Sequence, residues 1–284
     1  MSPTFIDGGA GALAIHDLGG DGPATLIIAH ATGFHGRCYR AFAHELAREA
    51  RVYALDFRAH GDSDSPTSPD GWGWSQMTAD LLGAIDFIGG QRPGSALHGF
   101  GHSMGGAAML DAHRIGPDLF ESVNVFEPIV PPRPFEVGES VLVKGALGRS
   151  RSFESFEAAI ARYSARPPLG LFRADVLDDY VRYGFAPSTD ENGDGAVILK
   201  CLPEHEAETY RGAGGDIRID QMASLSGPVT VGQSGDGHFP SQLAVAVAEM
   251  IPDGLLTPFS ELSHFGPLQD PVIVADAQRR LITG

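Results

Sequence analysis

The stretch FGHSMGGAAML, residues 100–110, decides the fold: one serine, Ser103, stands among glycines at the end of an apolar run. A surface serine needs no such company, and glycine weakens a helix interior by roughly 1 kcal/mol relative to alanine. The pattern G-x-S-x-G, with a strand before it and a small-residue helix after it, is a nucleophile elbow. Its turn is so tight that the serine takes strained backbone angles. Any side chain on Gly101, Gly105 or Gly106 would crowd the adjacent backbone. The strain holds the hydroxyl upright at the carboxyl edge of a sheet, above the positive end of the following helix. Glycine and serine are common in turns, so the motif gains its meaning from the elements on either side.

Those elements extend outward in a regular rhythm. ATLIIAH (24–30) reads as a strand ending at the turn ATGFHG, YRAFAHELAREA (39–50) as a helix, and RVYALDF (51–57) as the next strand. SQMTADLLGAIDFI (75–88) has apolar residues at helical spacing, with Asp80 on the opposite face. SALHGF (95–100) and SVNVFEP (122–128) are further strands on either side of the helix that begins after Ser103. Strands apolar on both faces that alternate with helices predict a mostly parallel sheet covered on both sides. After Glu127 the rhythm breaks at the proline-dense PPRPF (131–135). SFESFEAAIARYS (152–164) then reads as a helix with Phe153, Phe156, Ile160 and Tyr163 on one face, followed by RADVLDDYVRYGF (173–185) and PEHEAETYRG (203–212). Alternation resumes with GPVTVGQ (227–233). The expected organisation is one α/β core, 1–130 and 221–284, interrupted by a helical insertion at 131–220.

Composition narrows the partners. The 284 residues carry a formal charge of −16, and 43% are hydrophobic, which suits a substantial core. Such acidity argues against nucleic-acid binding, which needs clustered Lys and Arg. No apolar stretch approaches the roughly 20 residues of a membrane span. The N-terminal stretch lacks a basic flank followed by an apolar run, so no secretory leader is expected. Cys38 and Cys201 are the two cysteines, too few for a disulfide framework, and they read as reduced thiols of a cytoplasmic protein. No C-x-x-C pairing occurs, and neither a metal nor a cofactor is expected.

A serine hydroxyl attacks only when a base removes its proton and amides stabilise the oxyanion that forms. Met104, directly after the serine, is placed to supply one amide. The loop H-A-T-G-F-H-G from His30 can supply the other, through Thr32 first and Gly33 next. With AHATGFHG, DFRAHGDSD (56–64), GHSMGG and SHFGPL, the chain resembles the α/β-hydrolase superfamily nearly end to end. HATGFHG, FEPIVPP, KCLPEHEAETY and HFGPL together resemble a group of actinobacterial and fungal-type hydrolases, a likeness that implies a cap over the site. Haloalkane dehalogenases and epoxide hydrolases are similar, but they use an aspartate where this chain has Ser103. Asp56, Arg58, His60 and Gly61 match a loop that is usually structural.

The resemblance implies a base late in the chain, in a loop after the last strand, and of eleven histidines His264 stands there. His102 is expected to pack beneath the elbow and His98 within a strand. Two carboxylates compete to orient the base. Asp236 follows the strand PVTVG, where most family members keep the acid, but at a shifted spacing. Glu127 ends an apolar strand, where a carboxylate must find a partner. Its longer side chain favours Glu127, with Asp236 the alternative. The pocket is expected to be lined by His30, Phe34, Phe153, Phe156, Ile160 and Tyr163. The resulting expectation is a serine hydrolase acting on a carboxylic ester of a small to medium apolar or aromatic substrate. Lactone, thioester or carbon–carbon hydrolysis and cofactor-free perhydrolysis need the same machinery, and a ligand-binding protein of the same fold is the alternative from another class.

Overall fold

A computed structural model describes residues 2–132, 139–188, 196–213 and 216–284. In chain order the strands are β1 Thr4–Asp7, β2 Ala12–Gly19, β3 Ala24–Ala29, β4 Ala50–Leu55, β5 Leu97–His102, β6 Ser122–Phe126, β7 Ser152–Phe153, β8 Phe185–Pro187, β9 Val197–Leu199, β10 Val229–Ser234 and β11 Leu255–Phe259. The helices are α1 Arg40–Glu45, α2 Trp74–Gln91, α3 Met104–Ile115, α4 Val141–Leu147, α5 Phe156–Ser164, α6 Ala174–Gly184, α7 Pro203–Arg211, α8 Phe239–Met250, α9 Gly266–Gln269 and α10 Pro271–Thr283.

Eight strands form one sheet in the order β1-β2-β4-β3-β5-β6-β10-β11. From β4 to β11 every pairing is parallel. Strand β3 is buried along its whole length, because helices cover both faces of the sheet. One apolar core joins the sheet to α2, α3 and α8, and a second joins it to α1, α5, α6 and α10. This is the α/β-hydrolase fold, with its strand ends β5 and β6 side by side at the sheet centre.

Several local expectations change. β1 and β2 form an antiparallel hairpin that extends the sheet edge; its exposed outer strand gave little hydrophobic pattern to read. α1 ends at Glu45 rather than near residue 50. The expected helix over 152–164 begins only at Phe156, because the Ser155 hydroxyl accepts the Ala158 N–H at 3.1 Å and caps it there. Phe153 therefore sits on β7, in a small antiparallel sheet of order β7-β9-β8. Both cysteines are buried free thiols. Among the described residues no helix is long and apolar enough to cross a membrane.

Asp80 departs furthest from the helical-face reading. It is buried, and Arg58 grips it with two guanidinium nitrogens while a third donates to the Gly71 carbonyl at 3.0 Å. Burial pushes the Asp80 carboxyl up, and Arg58 pulls it back toward the ionised form. The pair ties α2 to the loop after β4. Asp80→Ala leaves the Arg58 charge buried without its partner, and is expected to cost about 3–5 kcal/mol of stability. A urea midpoint equal to the wild-type value would contradict that role.

Candidate active site

At the end of β5 the chain turns into α3 through one residue. Ser103 has φ 55° and ψ −116°, a region that costs an L-residue of order 1–3 kcal/mol and persists only where the surroundings enforce it. Here they do so from both sides. The Ser103 N–H donates to the Phe126 carbonyl at 3.0 Å, and its own carbonyl accepts from Ala107 and Ile129 at 3.0 and 3.2 Å. A Cβ on Gly105 would lie 2.1 Å from the Ala29 carbonyl oxygen, and one on Gly101 would lie 2.6 Å from that of Gly105. Both positions therefore require glycine, and the close approach they permit seats α3 against β3 and β5.

His264 occupies the loop between β11 and α9 and is held at four points. Its Nε2 lies 3.1 Å from the Ser103 hydroxyl oxygen, and its Nδ1 lies 2.7 Å from Glu127 Oε2. Its backbone N–H donates to Asp236 Oδ2 at 3.1 Å, and its carbonyl accepts from His102 Nε2 at 2.8 Å. Because the carbonyl can only accept, His102 carries its proton on Nε2, which leaves Nδ1 to accept the Tyr39 hydroxyl at 2.7 Å. Burial keeps that imidazole neutral by lowering its pKa well below the usual histidine range. His102 thus packs beneath the elbow as a strut between the Tyr39 region and the main chain of His264.

The two carboxylates take different tasks. Glu127 is fully buried with φ 44°. Its second oxygen accepts the Ser234 N–H at 2.8 Å, so the carboxylate is fixed between an amide and an imidazole. Asp236 is half-buried, with Oδ1 accepting the His238 N–H at 3.0 Å and Oδ2 the His264 N–H. Partial burial raises its pKa, but the two amides outweigh it and hold the carboxyl below its usual range. Asp236 shapes the loop that carries His264, while Glu127 touches the ring.

The amide geometry separates the two candidates in the loop after β3. Gly33 N–H donates to His60 Nε2 at 3.0 Å and is spent inside the protein, contrary to expectation. The Met104 N–H belongs to the first residue of α3 and has no intrahelical acceptor. The Thr32 hydroxyl contacts Met104 Sδ at 3.3 Å and so joins the two loops. His30 lies beneath this loop, with Nδ1 bonded to the Ala31 carbonyl at 2.8 Å and Nε2 accepting the Phe57 N–H at 3.0 Å. Burial lowers its pKa to about 3, and both nitrogens are engaged; His30 braces the loop rather than lining a pocket.

A cavity of about 420 Å³ lies beside the loop after β3 and the residue that follows His264, and Ser103 and His264 themselves do not line it. Gly33 and Phe34 border it on one side, Phe265 beside His264 on another, and Tyr163, Tyr180 and Arg149 face them. Phe153, Phe156 and Ile160 are not among its lining residues. They pack into the core beneath, where the Phe153 ring meets Tyr163 at a tilt and Phe185 edge-on, with centroids 5.4 and 5.8 Å away. Phe265, Tyr180 and Arg149 had no individual signal in the sequence, although Phe265 follows His264 directly. His16, Asp56 and Asp62 also converge within 4.8 Å in a spacing that could hold a metal ion. Their atoms are already paired: His16 bridges Arg37 Nε and Asp56, Asp56 also accepts the Gly36 N–H at 2.7 Å, and Asp62 meets Lys200. The cluster is an internal brace.

A model of the alpha/beta hydrolase family matches residues 26–277. Over 199 residues, 67% of the chain, the sequence is 26% identical to the dihydrolipoyllysine-residue acetyltransferase component of the acetoin cleaving system of Pseudomonas putida. That match spans 48% of the relative, about half its length. The fold is similar to the crystal structure of E-2-(acetamidomethylene)succinate hydrolase, with TM-score 0.77, 21% identity and 99% of each chain covered. It is also similar to the enol-lactonase of Burkholderia xenovorans, with TM-score 0.70, 15% identity, and 99% of this chain and 100% of that one covered.

The geometry makes unequal demands on the two acids. Glu127→Gln keeps the shape but removes the charge beside His264 Nδ1, and is expected to slow labelling of Ser103 by a fluorophosphonate probe by about 10³–10⁴-fold. Asp236→Asn keeps an acceptor for the His264 N–H and is expected to cost less than about tenfold. The reverse order of losses would assign the orienting role to Asp236.

Proposed function

The chain belongs to the alpha/beta hydrolase family, and from that premise we propose that it is a serine hydrolase that cleaves a carboxylic ester through an acyl-enzyme. One observation carries the reading: Ser103, His264 and Glu127 stand in line, with contacts of 3.1 and 2.7 Å. In this reading His264 Nε2 takes the hydroxyl proton as Ser103 attacks the acyl carbon. Glu127 holds the Nδ1–H tautomer and stabilises the imidazolium that forms. The oxyanion is met by the amides of Met104 and Thr32. His264 then returns the proton to the departing alcohol, activates water in the same way, and frees the acid product.

The segment 131–220 acts as the cap of this site over a core of 1–130 and 221–284. In support, Tyr163, Tyr180 and Arg149 close the cavity against Phe34 and Phe265 of the core. The aromatic walls favour an apolar or aromatic portion of small to medium size. A lactonase stands among the structural relatives, so the bond class is to be read from turnover rather than from the fold.

An ester panel graded by acyl length and alcohol bulk tests the proposal directly. Wild-type protein should turn over members of the panel, and Ser103→Ala should lose activity by at least about 10³-fold without losing thermal stability. Turnover retained in Ser103→Ala would sink the mechanism. A wild-type protein that neither labels with fluorophosphonate nor turns over any ester or lactone would point instead to a ligand-binding protein of this fold.

A further inference from the structure

The acidic surface of the chain hides a cavity of the opposite sign. The protein carries a net charge of −16, yet among the described residues the charged groups lining the cavity are two guanidinium groups, Arg149 and Arg166, and one carboxylate, Glu206. Arg149 donates to Glu206 Oε2 and to the Tyr180 hydroxyl. Glu206 in turn lies against Gly33, where an added Cβ would be 2.7 Å from Oε1. One side chain therefore spans the gap between Arg149 and the loop that supplies the Thr32 amide.

Glu206 balances only one of the two cations. Arg149 presents five N–H donors, and its bonds to Glu206 and Tyr180 orient the guanidinium without exhausting them. Arg166 makes no side-chain hydrogen bond or ion pair among the described residues; its backbone N–H donates to the Tyr163 carbonyl and its own carbonyl accepts the Gly170 N–H. Tyr180 accepts from Arg149 and keeps its own hydroxyl hydrogen to donate. Burial raises the pKa of that phenol well above the usual range, so it stays protonated. Arg166 is exposed at the rim of the cavity, and a purely apolar ligand packed against it would strip water from a guanidinium group without supplying a counter-charge, at an electrostatic cost. A ligand with one negative charge would balance it.

Taking the serine hydrolase reading as premise, we propose that the cavity selects esters that carry a free carboxylate away from the scissile bond, with Arg149 and Arg166 as its binding residues. The apolar walls contributed by Phe34 and Phe265 then accommodate the chain between the two ends. Planar, bidentate recognition suits guanidinium better than ammonium, and Glu206 acts as a positioning residue that holds Arg149 facing the cavity.

The test compares monophenyl adipate with its neutral twin, methyl phenyl adipate, by release of phenol. The ratio of kcat/KM, anionic over neutral, is expected to be about 10- to 100-fold in the wild type, as charge-assisted hydrogen bonds imply. Arg166→Gln should lower that ratio about tenfold, chiefly through KM. Removing both partners of the inner pair, in Arg149→Gln with Glu206→Gln, should lower it as well without stranding a buried carboxylate. A wild-type ratio at or below one, or a ratio unmoved by both variants, would overturn the proposal while fluorophosphonate labelling of Ser103 left the hydrolase reading intact. Binding provides a readout independent of turnover. Monomethyl adipate should raise the melting temperature of Ser103→Ala more than dimethyl adipate does, and Arg166→Gln in that background should erase the difference. Equal shifts for the two ligands would also overturn the carboxylate subsite.

Discussion

A carboxylate with no access to water must be paired or neutralised, and Glu127 meets that demand at the end of an apolar strand. One oxygen takes the Ser234 amide and the other takes His264 Nδ1. The same residue stands at positive φ, and its N–H is bonded to the Gly232 carbonyl, so the side chain leaves the strand in a single direction. Three strand ends are tied together by this arrangement: β5 through Ser103, β6 through Glu127 and β10 through Ser234. The loop after β11 then has one place to put its imidazole. Asp236 and His102 hold that loop by its main chain, and the ring is free to serve Glu127 and Ser103.

The strained serine is the other half of the arrangement. Its backbone energy is supplied by the hydrogen bonds from β6 and α3 and by glycines that let α3 approach β3. In the proposed reading this strain positions a hydroxyl ahead of any substrate, so no reorganisation is needed at the moment of attack. Buried neutral histidines do related work nearby. His30 and His60 brace the loop after β3 with defined tautomers, because burial disfavours their charged forms.

The parts legible in the sequence are those written in local pattern. The parallel strands announced themselves as short apolar runs, and the elbow as glycines placed where a Cβ cannot fit. The position of His264 followed from the order of elements. Less legible was whatever depends on distant partners. Asp80 looked like a solvent-facing residue on its helix, and only the buried Arg58 explains it. Gly33 looked like an amide donor for the site until His60 claimed its N–H. Phe153 followed the helical spacing of its neighbours but lies before the Ser155 cap, on a strand whose partners are more than forty residues away. The charged lining of the cavity was likewise hidden, because Arg149 and Glu206 meet only when α7 folds beside the segment after α4. His30 was misplaced for the same reason: a polar residue in a loop gives no sign of which way its ring turns.

The account rests on the proton between His264 Nδ1 and Glu127, and nuclear magnetic resonance observes that proton without any substrate. A strongly hydrogen-bonded Nδ1–H beside a carboxylate gives a far-downfield, slowly exchanging signal. The account predicts that signal in the wild type and in Asp236→Asn, and its loss in Glu127→Gln. A signal that survives in Glu127→Gln and vanishes in Asp236→Asn would contradict the account at its centre.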